Sequence, residues 1–285
     1  MAKRRPLFLT GLALSGLVLV SFLYHSAHAA EAGAWAQPRG LYYAKVSSAF
    51  YAADEIYNDI GRRQSMGLDN DEFRGQQIFL YFEYGLLERL TLDTQARAGV
   101  LTAESSAVRR QTSGIGDVEV GLKYQLADRP FVLASMISGK LPTGYDARHR
   151  PALGAGKADG EVRLLASRSF FPQQVYIGTE VAYRLRGGRY WDQWSWSTEV
   201  GAMLPARISA KLFVNQTSTL EPMDSNMGVV NVRADISQGD CRIVGATAAF
   251  ELIPGVSVEI TSERTVAGEN IGVGATWGLG LSMSR

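Results

Sequence analysis

"GIGDVEVGLKYQL", residues 114–126, alternates from Asp117 onward. Asp117, Glu119, Lys123 and Gln125 fall on one parity; Val118, Val120, Leu122 and Tyr124 fall on the other. Strict alternation over this length marks a strand with two unlike faces. In a soluble antiparallel sheet the apolar face meets a core and the polar face meets water. In a membrane barrel the apolar face meets lipid and the polar face a wet lumen. The rest of the chain has to decide between the two.

Similar alternation recurs in segments 40–51, 75–85, 90–100, 115–126, 131–141, 159–169, 174–185, 192–203, 207–217, 241–252, 256–266 and 271–283. Another short strand or hairpin could lie within 218–240. The connections "LLER", "ADRP", "FPQQ", "LPAR" and "IPG" are tight. They interleave with longer, more polar connections at 52–74, 101–114, 142–158, 186–191 and 218–240, and a shorter one at 267–270. Tight turns at one end and longer loops at the other are the pattern of an outer-membrane barrel, and an even strand count puts both termini on the tight-turn side.

Three features favour lipid over a soluble core. The segments are about 10–12 residues long, where soluble strands average about 5–6, and about 9–11 tilted residues cross a bilayer. Aromatics stand near segment ends on the apolar parity at Tyr42, Tyr84, Tyr124, Tyr183 and Trp194, which are girdle positions. No intrachain disulfide is available, because Cys241 is the single cysteine, and a closed barrel needs none. The expected fold is therefore an all-β, transmembrane, antiparallel up-and-down barrel of about twelve strands. Arg168 and Arg264 fall on the apolar parity, but near segment ends, where long cationic side chains can snorkel. In the last segment the second face is nearly bare, with Gly272, Gly274, Gly278 and Gly280, so a neighbouring side chain could approach closely.

The chain opens with a basic stretch (Lys3, Arg4, Arg5), an apolar run from Leu7 to about Tyr24, and Ala27-His28-Ala29. This is the layout of a cleaved secretory signal peptide over residues 1–29, which leaves 30–285 as the barrel domain. The rival reading is an uncleaved membrane anchor. No cysteine follows the apolar run, so lipoprotein anchoring is not indicated. Without residues 1–29 the chain carries 26 basic and 28 acidic residues, a net of about −2, which gives no support to a nucleic-acid partner. The expected partners are the lipid bilayer, the outer-membrane assembly machinery and a small-molecule solute. The expected location is the outer membrane of a Gram-negative bacterium.

If the polar parity faces a lumen, its basic lining is Lys45, Arg97, Lys123, Lys140, Arg163, Arg184 and Lys211. The acidic lining is Glu83, Asp93, Asp117, Glu119, Glu161, Glu180, Glu199, Glu251, Glu259 and Glu263. Unpaired charges in a narrow channel are costly, so most should pair across strands, with Arg97 and either Asp117 or Glu119 as the favoured cluster. The acidic excess predicts a small cation preference if the barrel conducts. In "RYWDQWSW", residues 189–196, Trp194 and Trp196 read as girdle, while Tyr190 and Trp191 at the loop tip are candidates for an aromatic site at the mouth.

Catalytic readings are weaker. His149, in "YDARHRP", is the only histidine left after residue 29, and no strand serine is placed beside it by sequence. A triad hydrolase, the third choice of function, therefore has little to stand on. Asp117 and Glu119 share a face as a carboxylate pair could, but so do acids on nearly every segment. One His and one Cys supply too few soft or imidazole ligands for a transition-metal centre. "LDNDEF" and "ADEIYND" gather oxygen ligands without EF-hand spacing. "GIGDVEVG" and "GAGKADG" lack the context of nucleotide-binding loops. No cofactor and no metal is expected.

"GIGDVEVGLKYQL", "GKLPTGYD", "GAGKADGEVRL" and "VAGENIGVGATWGLGLS" together resemble the outer-membrane proteins grouped as the "MetA-pathway of phenol degradation" family, as motifs spaced over residues 75–283. The resemblance implies a β-barrel transporter and uptake of small molecules, aromatic ones among them. The function expected is a narrow passive channel; the alternative is a structural or interaction role in the outer membrane without a through-pore.

Overall fold

The structure is a computed structural model that describes residues 33–66, 71–105, 108–188, 190–220 and 239–285. Strands β1 (Tyr42–Tyr57), β2 (Arg63–Ser65), β3 (Glu72–Leu87), β4 (Leu90–Glu104), β5 (Arg109–Ala127), β6 (Val132–Leu141) and β7 (Asp159–Phe170) form the first half. Strands β8 (Val175–Leu185), β9 (Gln193–Leu204), β10 (Ile208–Thr219), β11 (Asp240–Ile253), β12 (Val256–Glu269) and β13 (Ile271–Ser284) form the second. All belong to one antiparallel sheet of 13 strands, in which each strand pairs with its sequence neighbour except that β3 pairs with β1 rather than with β2. β2 is a three-residue flap on the end of β1, with Glu55 opposite Ser65. The other twelve close into a barrel through β1 and β13, from Tyr43 opposite Ser284 to Tyr57 opposite Ile271. Closure leaves no edge, as a bilayer requires. Both termini of the barrel meet at the tight-turn end, where Tyr42 and Arg285 exchange backbone hydrogen bonds of 2.9 and 3.0 Å.

The apolar parity faces outward. Leu80, Val120, Leu122, Ile137, Val162, Leu164, Val181, Leu212, Ile260 and Leu279 are exposed in a belt round the barrel. Tyr84 stands opposite Tyr42 near the tight-turn end, and Tyr183 stands opposite Trp194 near the other, so aromatics border the belt on both sides. Arg168 is exposed near its strand end, its guanidinium 5.1 Å from the Phe131 ring centre and 5.4 Å from that of Phe170. The bare face of β13 is filled from β1. A Cβ on Gly274 would lie 1.8 Å from the Tyr51 ring, and one on Gly272 would lie 2.3 Å from the Tyr51 hydroxyl.

The strands run further at the long-loop end than alternation predicts. β1 continues to Tyr57, and the connection expected at 101–114 shrinks to 105–108. Above the bilayer neither face meets lipid, so the ladder persists without an apolar stripe to reveal it. The connection at 267–270 likewise reduces to Asn270, at φ +53°. The hairpin entertained within 218–240 falls mostly on residues 221–238. These lie outside the described residues, as do the signal peptide at 1–29, residues 68–70 of the acidic loop and Arg189.

A bulge interrupts the opening stretch. Ala96 pairs with Val118 and Ala98 with Ile115, so Gly116 and Asp117 together face the single residue Arg97. The inward parity of β5 shifts there, which is why regular alternation begins at Asp117 and not before it. Bulges re-aim side chains; this one sets the Asp117 carboxylate against the Arg97 guanidinium.

Candidate functional site in the barrel lumen

Three layers fill the lumen. At the tight-turn end, residues 33–38 run inside the barrel and hydrogen-bond to its wall. The Ala34 amide donates to Ser167 Oγ at 3.0 Å, the Ala36 amide to Gln125 Oε1 at 2.8 Å, and the Gln37 amide to Thr91 Oγ1 at 2.9 Å. Lys123 Nζ reaches the Gly33 carbonyl at 3.2 Å, and the Trp35 ring meets Tyr176 edge-on at 5.9 Å. Gly85 makes the passage possible: a Cβ there would lie 2.0 Å from the Pro38 carbonyl oxygen.

The middle layer is charged, and its signs alternate. One run is Arg97, Asp117, Lys140, Asp159 and Arg186, with successive separations of 3.5, 3.0, 2.7 and 3.0 Å. A second is Glu119, Arg184, Glu161, Arg163 and Glu180, at 3.1, 2.6, 2.5 and 3.3 Å. Lys123 pairs with Glu83 at 2.7 Å, and Glu83 also accepts from the Tyr81 hydroxyl and from Gln37 Nε2. Across the lumen Lys45 meets Glu259 at 2.6 Å and Lys211 meets Glu199 at 3.3 Å. Burying so many charges is tolerable only because opposite signs are adjacent.

Of the lining residues expected from sequence, Arg97 does meet Asp117, while Glu119 bonds Arg184 and Ser138. Glu251 caps the tight turn by accepting from the Gly255 amide at 3.0 Å, and Glu263 is buried on β12. Asp93 is fully buried directly opposite Glu83, with the Tyr81 hydroxyl shared between the two carboxylates. Tyr190 turns toward loop 142–158: its hydroxyl donates to the Ala155 carbonyl at 3.3 Å and its ring lies 5.1 Å from the Arg186 guanidinium. Trp191 is exposed, and so is His149. Two charged partners were missed. Asp159 lies on the same parity as Glu161 and Arg163 and was legible there, whereas Arg186 lies beyond its strand and follows no period.

The third layer, toward the long loops, is apolar. Tyr51, Phe73, Leu101, Cys241, Ile243 and Ile271 pack inside the barrel with Met66, and Leu153 of loop 142–158 joins them. The same loop brings Tyr145 to the charged layer, its hydroxyl donating to Asp117 Oδ1 at 2.5 Å. Burial first, and then this bond to a carboxylate, push the Tyr145 phenol well above the usual tyrosine range, so it is a donor at neutral pH. At the loop's exposed tip, two bonds of 3.0 Å from Arg148 hold the Asp146 carboxyl down at about 2.

A closed barrel with an apolar belt outside and a salt-bridged lining inside defines a transmembrane β-barrel. No protein-family model matches the sequence, and no curated protein matches it. Among solved structures, the COG4313 outer membrane channel from Pseudomonas putida F1 is similar with a TM-score of 0.70 at 16% identity, over 88% of this chain and 97% of that one. The NanC porin is similar with a TM-score of 0.53 at 8% identity, over 84% of this chain and 98% of that one. At such identities the likeness shows the shared barrel fold.

Proposed function

We propose that the protein is a narrow, passive outer-membrane channel for small molecules, aromatic ones among them. The observation that carries this reading is the lining: a ladder of paired charges runs down the interior, below an apolar layer bearing Tyr51 and Phe73. The similar structures are named a channel and a porin. Export through a cleaved signal peptide and insertion by the outer-membrane assembly machinery belong to the same reading. Liposome swelling tests it. Vesicles holding the protein should swell in phenol-sized solutes and resist disaccharides; swelling no faster than empty vesicles would refute passage.

The second reading, a structural or interaction role without a through-pore, draws on one observation: residues 33–38 and loop 142–158 both enter the lumen. An outer-membrane lipid hydrolase is the weakest, since His149 is exposed on the tip of loop 142–158.

A further inference from the structure

Loop 142–158 is built unlike an ordinary connection. Loops run over surfaces, because buried backbone needs partners. Here residues 151–155 are buried in succession, with Leu153 at 2% exposure, while Arg148 and His149 stay in solvent. The wall of β5 is bare where the loop lies on it. A Cβ on Gly114 would come 3.0 Å from Leu153 Cδ1, and one on Gly116 would come 3.0 Å from the Leu153 carbonyl oxygen. The loop is bare in return: a Cβ on Gly154 would lie 2.0 Å from the Tyr145 hydroxyl and 2.7 Å from Asp117 Oδ1. The glycines of "GIGD" and "GAG" thus form two halves of one seat.

Three hydrogen bonds fasten it to the barrel and a fourth braces it internally. Tyr145 donates to Asp117 at 2.5 Å, and its oxygen accepts from the Gly156 amide at 2.8 Å. Thr143 Oγ1 donates to the Ile115 carbonyl at 2.9 Å, and Tyr190 reaches Ala155 from the far side. Near the loop's roots, Gly144 and Gly156 hold φ values of +95° and +66°, and nothing lies within 4 Å of a Cβ at Gly144. With its seat, latch and permissive root, the loop has the parts of a hinged cover.

Resting on the channel reading, we propose that loop 142–158 is a lid over the long-loop mouth, latched by Tyr145 on Asp117 and seated by Leu153 on Gly114 and Gly116. The mouth opens when the latch breaks and Leu153 leaves the apolar layer. Cys241 shares that layer and is 2% exposed, so it reports on the lid from within the native chain.

The full chain in liposomes is treated with a membrane-impermeant methanethiosulfonate, and modification of Cys241 is followed by mass. Tyr145→Phe, which removes only the latch hydroxyl, and Gly154→Ala, whose methyl would press on the Tyr145 hydroxyl and the Asp117 carboxylate, should each speed modification about tenfold, the factor that 1.4 kcal/mol produces. Arg148→Ala, at the exposed tip, should match the wild type. Heat-modifiable mobility in gels confirms that each barrel is folded. Equal rates in the wild type and both seat variants would overturn the lid. Faster modification in variants whose bilayers stay silent would keep the lid and refute the channel; discrete conductance steps with equal modification rates would do the reverse.

Discussion

Arg163 and Arg168 lie on one strand and meet opposite surroundings. Arg163 is buried between Glu161 and Glu180, and Arg168 is exposed over Phe131 and Phe170. Removing one partner of a buried pair costs about 3–5 kcal/mol, whereas an exposed cation–π contact contributes about 0.5–1 kcal/mol. Urea unfolding of the refolded barrel should therefore show Arg163→Met far more destabilised than Arg168→Met. Glu83 and Asp93 supply a sharper contrast, being buried directly opposite each other. Glu83→Gln takes away the carboxylate paired with Lys123 and should cost about 3–5 kcal/mol. Asp93→Asn relieves a like-charge pair while its amide oxygen can still accept from Tyr81, and its change should stay below about 1 kcal/mol in either direction. Equal losses in the two variants would mean that Asp93 is held by a partner as firmly as Glu83.

At the scale of the strand, β13 and β5 show what alternation reveals and what it conceals. The lipid-facing stripe was legible because the bilayer imposes one chemistry on every second residue, from Val120 and Leu122 to Leu279 and Leu281. The bulge at Gly116 and Asp117 was not, since it is defined by the opposing residue Arg97 and cross-strand register is not written in one strand. The glycines of β13 were legible as a close approach, but Tyr51 as the approaching group was not, because it comes from the strand that closes the barrel. Loop 142–158 and residues 33–38 follow no period. In the loop the one signal was an apolar "PALGA" after a polar tip, and in 33–38 there was none. The glycine fit yields its own prediction. Gly274→Ala forces Tyr51 aside and should cost about 1–3 kcal/mol, while Gly139→Ala, with nothing within 4 Å, should stay within about 0.5 kcal/mol. The same urea titration distinguishes them, and a neutral Gly274→Ala would mean that Tyr51 does not occupy β13's bare face.

At the scale of the molecule, the even number of barrel strands sets both termini on the tight-turn side, so the long-loop end faces outward in the outer-membrane reading. An epitope inserted after Gly61 should bind antibody on intact cells, and one inserted at Asp128 should do so only after permeabilisation; the reverse pattern would invert the orientation. Charge follows from the same frame. Asp159 and Arg186, which join the lining from the structure, pair with each other at 3.0 Å and leave the acidic excess among the lining residues unchanged. That excess predicts a slight cation preference, fading as salt screens the lumen. The central claim is that this salt-bridged interior conducts. Single-channel recording of the purified full-length protein in a planar bilayer tests it most directly. A narrow channel predicts small discrete steps, larger in Tyr145→Phe, with a reversal potential across a salt gradient displaced slightly toward that of the cation. A bilayer that stays silent in both proteins, although each is folded by gel mobility, would contradict it.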